Sequence, residues 1–143
     1  MTARNLLASS GWNWSQMKVV AGKFDGDSDS DLGILHQLAD GGIGVHVLQG
    51  SAGTPFQNTV TSATQLPGSD GWDWTKVKPG SGFFNTDGYE DVVLLSDLTD
   101  GSVNVHVLWG SSSPFSGSPM LARNLPASDW SWSQLKVAAR SAN

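Results

Sequence analysis

The feature that most constrains this chain is an internal repeat with a period of 60 residues. When residues 11–51 are aligned with residues 71–111, 18 of the 41 positions carry the same amino acid. A third copy begins at Trp130-Ser131-Trp132, and Ala3-Arg4-Asn5-Leu6 recurs as Ala122-Arg123-Asn124-Leu125. We therefore interpret residues 1–143 as one repeat domain. Its predicted parts are the end of a preceding repeat (1–10), repeat 1 (11–70), repeat 2 (71–129) and the start of a third repeat (130–143).

Within a repeat the hydrophobic pattern alternates with a period of two, which indicates strands rather than helices. Ile43, Val45 and Val47 alternate with other residues, and the Asp40-Gly41 pair before them predicts a tight turn. Further strands are predicted over 17–24, 32–38 and 56–64, and over 119–125 as the counterpart of the last in repeat 2. Four short antiparallel strands in 60 residues match the size of a propeller blade, so we predict an all-β fold with two whole blades per chain.

Two blades leave an apolar face open at each end, so the chain is predicted to close a ring by self-association. A closed propeller holds about four to eight blades, which a dimer, trimer or tetramer of two-blade chains would supply. A trimer with six blades is the preferred prediction.

Composition excludes several classes of function. The net charge is −5 and only 15% of the residues are charged, which disfavours a nucleic-acid binder. The chain has no cysteine, so disulfide scaffolds and thiolate sites are excluded. No apolar stretch is long enough to span a membrane, and the first residues lack the apolar region of a secretory signal.

The segments Phe24-Asp25-Gly26-Asp27-Ser28-Asp29-Ser30-Asp31-Leu32 and Phe84-Asn85-Thr86-Asp87-Gly88-Tyr89-Glu90-Asp91-Val92 resemble the acidic loops of FG-GAP/VCBS repeats. These repeats form β-propellers, including the head of the integrin α-subunit and bacterial lectin and adhesin propellers. The resemblance covers both repeats. It implies a propeller fold and an extracellular location, and it leaves function open because propellers serve many functions.

Short acidic side chains at alternate positions of a tight loop can surround a hard cation such as Ca²⁺. The resemblance implies two ligand sets, in which Asp29 and Tyr89 contribute backbone carbonyls: Asp25, Asp27, Asp29, Asp31 and Asn85, Asp87, Tyr89, Asp91. Lys23 and Phe83 stand where the family has the first Asp, so weak calcium binding is predicted. In the alternative, the carboxylates cap backbone N–H groups, and Lys23 pairs with Asp27 or Asp31 in place of an ion.

Seven Trp residues are present, and six of them form three Trp-x-Trp pairs. Two residues that are two apart on a strand point the same way, and an indole can stack on a sugar ring beside polar side chains. The candidate carbohydrate-binding residues are Trp12, Trp14, Gln16, Trp72, Asp73, Trp74, Arg123, Trp130, Trp132 and Gln134. The first ring of each pair follows a turn residue and is expected to face the ligand, while the second packs between blades. Trp109 has no repeat partner and is not expected to share this role.

His46 and His106 occupy equivalent strand positions and are interpreted as structural residues that bond to a neighbouring blade. No nucleophile accompanies them, so an enzyme is not expected. His36 is not repeated and is interpreted as incidental. The sequence therefore predicts a multivalent, lectin-like module that binds a glycan. The alternatives are a structural or protein-adhesion propeller, and an excised or engineered fragment that self-assembles without a small ligand.

Overall fold

The computed structural model describes residue 6, residues 11–56 and residues 60–138. Its eight strands form two four-stranded antiparallel sheets, each in simple sequential order. The first sheet contains β1 (Met17–Gly22), β2 (Asp31–Gln37), β3 (Ile43–Leu48) and β4 (Thr61–Leu66). The second sheet contains β5 (Val77–Gly82), β6 (Asp91–Asp97), β7 (Val103–Leu108) and β8 (Met120–Leu125). The predicted all-β fold with four antiparallel strands per repeat is confirmed. The expectations for residues 1–5, 7–10, 57–59 and 139–143 lie outside the described residues.

The fourth strand of repeat 1 begins later than the sequence predicts. Phe56 lies in a turn with a φ angle of 61°, and its equivalent Phe115 has a φ angle of 59°. In each turn the Phe backbone N–H donates to a carbonyl just after the third strand, namely that of Gln49 or Trp109. A left-handed φ cannot belong to an extended strand, so β4 begins only at Thr61.

The turn between β2 and β3 forms where the Asp-Gly pair predicts it. Gly41 has a φ angle of 85°, and the Gly42 backbone N–H donates to Asp40 Oδ1 at 2.9 Å. Asp100 caps the turn of the second sheet in the same way, since the Ser102 N–H donates to its Oδ1 at 2.9 Å. The repeated Asp-Gly pair therefore sets the register of two hairpins.

Both sheets contain a register shift at the same place. The pairing of β3 with β4 shifts between Val45 and His46, and that of β7 with β8 shifts between Val105 and His106. Such an irregularity changes the direction in which a side chain leaves the strand. The extra residue lies on the fourth strand of each sheet, at Ala63 and Ala122, while His46 and His106 keep the regular alternation of β3 and β7.

One hydrophobic cluster joins the sheets, with β1 lying beside β5. It contains Val20, Phe24, Leu35, Ile43, Val45, Val47, Leu66, Trp74, Val77, Val92, Leu94, Leu108 and Phe115. In residues 11–56 and 60–138 the helical segments are 3-10 turns of three residues: Trp14–Gln16, Gly68–Asp70, Trp74–Lys76 and Trp132–Gln134. Within the described parts of the chain, none of these segments could cross a membrane.

Candidate functional site

The two rings of a Trp-x-Trp pair go to different places. Asp73 caps the turn Trp74–Lys76, because the Thr75 backbone N–H donates to Asp73 Oδ1 at 2.9 Å. The turn carries Trp74 into the core between the sheets, where it is 6% exposed, and leaves Trp72 half-buried. The expectation that the two rings share one face of a strand is therefore wrong, since the pair does not lie on a strand.

Trp74 packs in the contact between the two sheets. Lys18 Nζ donates to the carbonyls of Trp74 at 2.7 Å and of Val77 at 2.5 Å, and it lies 4.2 Å from the centroid of the Trp74 ring. Burial lowers the pKa of Lys18, an effect that the charge of Asp73 opposes. Because Trp74 is buried and held by this ammonium group, it is a core residue and not a ligand contact.

The same contact recurs at the start of the third repeat. Lys78 Nζ donates to the carbonyls of Trp132 and Leu135 and lies 4.2 Å from the centroid of the Trp132 ring. Trp14 occupies the corresponding position in the first repeat and is 85% exposed. The second ring of each pair is thus suited to packing against a neighbouring repeat.

Trp72 lines a cavity of about 290 Å³ between the two sheets. The centroid of its ring lies 4.8 Å from that of His106, at an interplanar angle of 55°. The other lining residues are Thr64, Gln65, Leu66, Pro67, Asp70, Ser118, Pro119 and Leu121. An aromatic face beside hydroxyl, amide and carboxylate groups offers both kinds of contact that a sugar ring uses.

His106 adds an unusual polar group to this cavity. Its Nδ1 is buried and has no hydrogen-bond partner within the described residues, and burial lowers the pKa of the side chain. The imidazole is therefore neutral at pH 7, and its Nδ1 is a buried polar atom without a partner among the described residues. The expectation that this histidine bonds to a neighbouring blade does not hold for Nδ1.

An equivalent cluster surrounds Trp12 in the first sheet. The centroid of its ring lies 5.1 Å from that of His46 and 5.5 Å from that of His36. His46 Nε2 is buried without a hydrogen-bond partner in the described chain. Burial, with a smaller effect from the charge of His36, lowers the pKa of His46 to about 4. His36 is thus part of the cluster, and the interpretation of it as incidental is wrong.

Several predicted residues lie elsewhere. Asp73 is occupied as a turn cap, and Gln16 Nε2 donates to Gln37 Oε1 at 3.2 Å. Arg123 is exposed on β8, and Trp130 and Gln134 are exposed beyond it. Among the ten predicted carbohydrate-binding residues, Trp72 lines the cavity described above and the other nine do not. His106 was not predicted as a cavity residue, although the recurrence of a histidine at this strand position in both repeats was the available signal.

The acidic loop of the first sheet brings three carboxylates together. Asp25, Asp27 and Asp31 offer oxygen atoms that lie within 4.8 Å of one another. The same side chains also cap the backbone: Asp25 Oδ1 accepts from the Asp27 N–H at 3.1 Å, and Asp31 Oδ2 accepts from the Phe24 N–H at 3.0 Å. Burial raises the pKa of Asp31. The loop therefore contains both the predicted ligands and the predicted turn caps.

The acidic loop of the second sheet has the same backbone caps but a different charge. Asn85 Oδ1 accepts from the Asp87 N–H at 2.9 Å, while Asn85 Nδ2 donates to Asp87 Oδ2 at 2.8 Å. Asp91 Oδ2 accepts from the Phe84 N–H at 3.0 Å, and burial raises the pKa of Asp91. Because the uncharged Asn85 replaces a carboxylate and donates to Asp87, this loop is the poorer cation site of the two.

Comparisons of the chain with protein-family models, with curated proteins and with solved structures give no match. The fold and the cavity therefore define the molecule as a tandem repeat of four-stranded antiparallel sheets, with an aromatic and polar cavity where the two sheets meet.

Proposed function

We propose that the chain is a carbohydrate-binding module whose sheets are propeller blades of the FG-GAP/VCBS type. The observation that carries this proposal is the cavity that combines the Trp72 ring, the His106 side chain and the polar groups of Gln65 and Asp70. A sugar ring would stack on the indole while its hydroxyl groups replace water on the polar side chains. The role is binding rather than catalysis, outside the cell, as the resemblance implies.

A glycan array probed with the full chain tests this proposal, followed by titration of a retained sugar against Trp fluorescence. Trp72→Leu is expected to weaken sugar binding by about tenfold or more, because it removes the stacking surface. Trp14→Leu is the matched control, since Trp14 is the exposed ring of a pair and lies outside the cavity. Its affinity per site for a monovalent sugar is expected to equal that of the parent chain.

Asp70→Ala provides a second variant that does not disturb the core, because Asp70 is exposed at the cavity. It is expected to weaken sugar binding without changing the unfolding midpoint. Absence of any retained glycan, or equal losses for Trp72→Leu and Trp14→Leu, would contradict the proposal. The structural or protein-adhesion alternative would then be favoured, in which Trp72 and His106 only pack against each other.

We also propose that calcium, where it binds, occupies the first acidic loop with low affinity. The support is the set of three carboxylates in that loop, against the Asn85–Asp87 pair in the second. Calorimetry after chelation is expected to give a dissociation constant above about 10⁻⁴ M. Asp27→Asn should abolish the signal and Asp87→Asn should leave it unchanged. No heat at millimolar calcium would favour turn capping alone, and submicromolar affinity would contradict the predicted weakness.

We propose further that self-association completes the ring, with a trimer of two-blade chains as the expected form. The support is the exposure of Trp14 at one side of the pair of sheets and of Phe84 at the other. Several sugar sites on one ring would then act together, so that weak individual binding gives a stronger total affinity.

A further inference from the structure

We propose that the open face of the second sheet docks the first sheet of another copy of this chain, in exchange for residues 130–138 of its own chain. The inference rests on the proposed self-association and not on the sugar site. It assigns the docking residues and a competing segment within the chain.

The contact between the two sheets within the chain shows what this face recognises. The rings of Phe24 and Phe115 meet edge to face, with centroids 4.9 Å apart. Beside them the Ser111 N–H donates to the Phe24 carbonyl at 3.0 Å, and the Glu90 N–H donates to the Lys23 carbonyl at 2.9 Å. The face of the first sheet is thus filled by an aromatic ring and by backbone hydrogen bonds of the second.

The second sheet presents the same face without such a neighbour. Phe24 is 0% exposed and Phe84, its repeat equivalent, is 49% exposed. Both backbone N–H groups donate to a buried carboxylate, Asp31 or Asp91, at 3.0 Å. The backbone at the two phenylalanines is therefore held in the same way, and the missing neighbour at Phe84 accounts for the difference in exposure.

The first sheet carries the matching half on its other side. Phe56 sits in the same left-handed turn as Phe115, with φ angles of 61° and 59°. Trp14 is 85% exposed, whereas Trp74, its equivalent in the internal contact, is 6% exposed. In the internal contact, Phe115 packs on Phe24 and the Trp74 carbonyl binds Lys18. In a second copy, Phe56 can pack on Phe84 and the Trp14 turn can bind Lys78 in the same way.

Residues 130–138 cover the part of this face around Lys78 and Gly80. The carbonyls of Trp132 and Leu135 accept from Lys78 Nζ, as those of Trp74 and Val77 accept from Lys18. Val137 packs against Gly80, where an added Cβ would overlap its side chain. Phe84 nevertheless remains exposed, so the segment covers only part of the surface.

The segment and a second copy cannot occupy the face together. One ammonium group has three donors, and Lys78 already gives two of them to the segment. The carbonyls of an incoming Trp14 turn need the same donors. The incoming sheet also covers Phe84, so it has more apolar contact to offer than the segment that it displaces.

A second copy is the occupant to which the structure points, because both halves of the contact lie on one molecule. Such an interface is head-to-tail and closes into a ring when its rotation allows. One hydrogen bond of the internal contact has a weaker counterpart in this interface. In the internal contact the Glu90 carboxylate accepts from the Lys23 N–H at 2.7 Å, whereas an incoming first sheet carries Ser30 in place of Glu90.

Sedimentation of the full chain over a range of concentrations tests the docking. We expect reversible association that Phe84→Lys weakens by at least about tenfold, because it places a charge against Phe56. Phe83→Lys is the matched control. Repeat 1 has a lysine, Lys23, at the position equivalent to Phe83, so this variant adds the same charge next to Phe84 and should leave association unchanged. A chain that stays monomeric at every concentration, or equal losses for both variants, would overturn the docking.

Hydrogen exchange of the parent chain tests the displacement without any substitution. Amides of residues 130–138 should exchange faster as association proceeds, while those around Phe84 become protected. Trp132→Ala should strengthen association several-fold by weakening the competitor. Slower exchange in the segment, or weaker association of this variant, would overturn the exchange. Per-site sugar affinity should be equal for the parent and Phe84→Lys, so a failure here is distinguishable from a failure of the sugar site.

Discussion

The two sheets carry the same phenylalanine after their first strands, β1 and β5, but one ring is inside the molecule and the other is on its surface. Phe24 is 0% exposed and Phe84 is 49% exposed, although their backbones make equivalent hydrogen bonds. Trp74 and Trp14 differ in the same way, in opposite order along the chain. Burial in this repeat therefore depends on the adjoining repeat and not on the local sequence, as expected when each unit buries its faces only by stacking.

The largest expected effect is the difference between truncating the two phenylalanines. Phe24→Ala should lower the free energy of unfolding by about 3–5 kcal/mol, because it leaves a cavity opposite Phe115. Phe84→Ala should change it by less than about 1 kcal/mol in the monomer. Urea denaturation at low protein concentration measures both. Similar losses would mean that Phe84 already has a neighbour in solution.

The next largest difference in stability is expected between glycine-to-alanine substitutions in the two acidic loops. Gly26 and Gly88 have φ angles of 85° and 89°, so an alanine strains either backbone by about 1–2 kcal/mol. At Gly26 the added methyl also overlaps the Tyr89 ring, whereas nothing lies within 4 Å of one at Gly88. Gly26→Ala should therefore cost about 2–3 kcal/mol and Gly88→Ala about 1–2 kcal/mol. Thermal unfolding distinguishes them, and equal losses would contradict the contact between the loops.

Acid should destabilise the fold through the buried histidines. The pKa of His46 is lowered from 6.5 to about 4, chiefly by burial, so the unfolded chain takes up this proton first as the pH falls. The stability is fully present above pH 6.5 and is lost between 6.5 and 4. For His46 the loss should be about 1–2 kcal/mol, because solvent reaches part of the side chain. His106 should act in the same direction.

His36→Ser compares the two histidine clusters directly, since Ser96 stands at this position in the second repeat. It should raise the pKa of His46, because the charge of His36 is the smaller of the two causes of its shift. An NMR titration of the imidazole protons measures this pKa. A further decrease would show that the burial of His46 depends on His36.

The smallest expected difference lies in the caps of the Trp turns. Asp73→Ala should cost about 1 kcal/mol, and Asn13→Ala about 0.5 kcal/mol. Asp73 accepts from the Thr75 backbone N–H at 2.9 Å, and its hydrogen bonds with Thr75 lower its pKa. Asn13 is uncharged and accepts from the Ser15 N–H at 3.2 Å. Chemical denaturation should detect the difference, and a larger loss at Asn13 would reverse the comparison.

Much of the local structure was predictable from the sequence. The alternation around Val45 predicts a strand, and the Asp40-Gly41 pair predicts the turn before it, because both signals depend on neighbouring residues only. The left-handed turn at Phe56 was not predictable, since a bulky residue seldom adopts a positive φ. This exception delays β4, which begins at Thr61.

The candidate site was predictable only in part. The repeated Trp-x-Trp pairs indicated stacking surfaces, but the separation of Trp72 from Trp74 depends on the 3-10 turn between the rings and β5. His106 lies on β7 and meets Trp72 from the segment before β5, a contact between distant parts of the sequence that no local pattern predicts. Residues from β4 of the other sheet complete the cavity, so no single repeat contains it.

The sequence by itself determined the repeat, the strand order and the chemistry of each loop, because periodicity, turn residues and carboxylate spacing act over a few positions. The tertiary structure decided which copy of each repeated residue is core and which is surface. Lys18 and Lys78 occupy equivalent positions of the repeat, and each binds the Trp carbonyl of the repeat that follows it. Burial is a property of two packed surfaces, and one sheet's sequence describes only one of them.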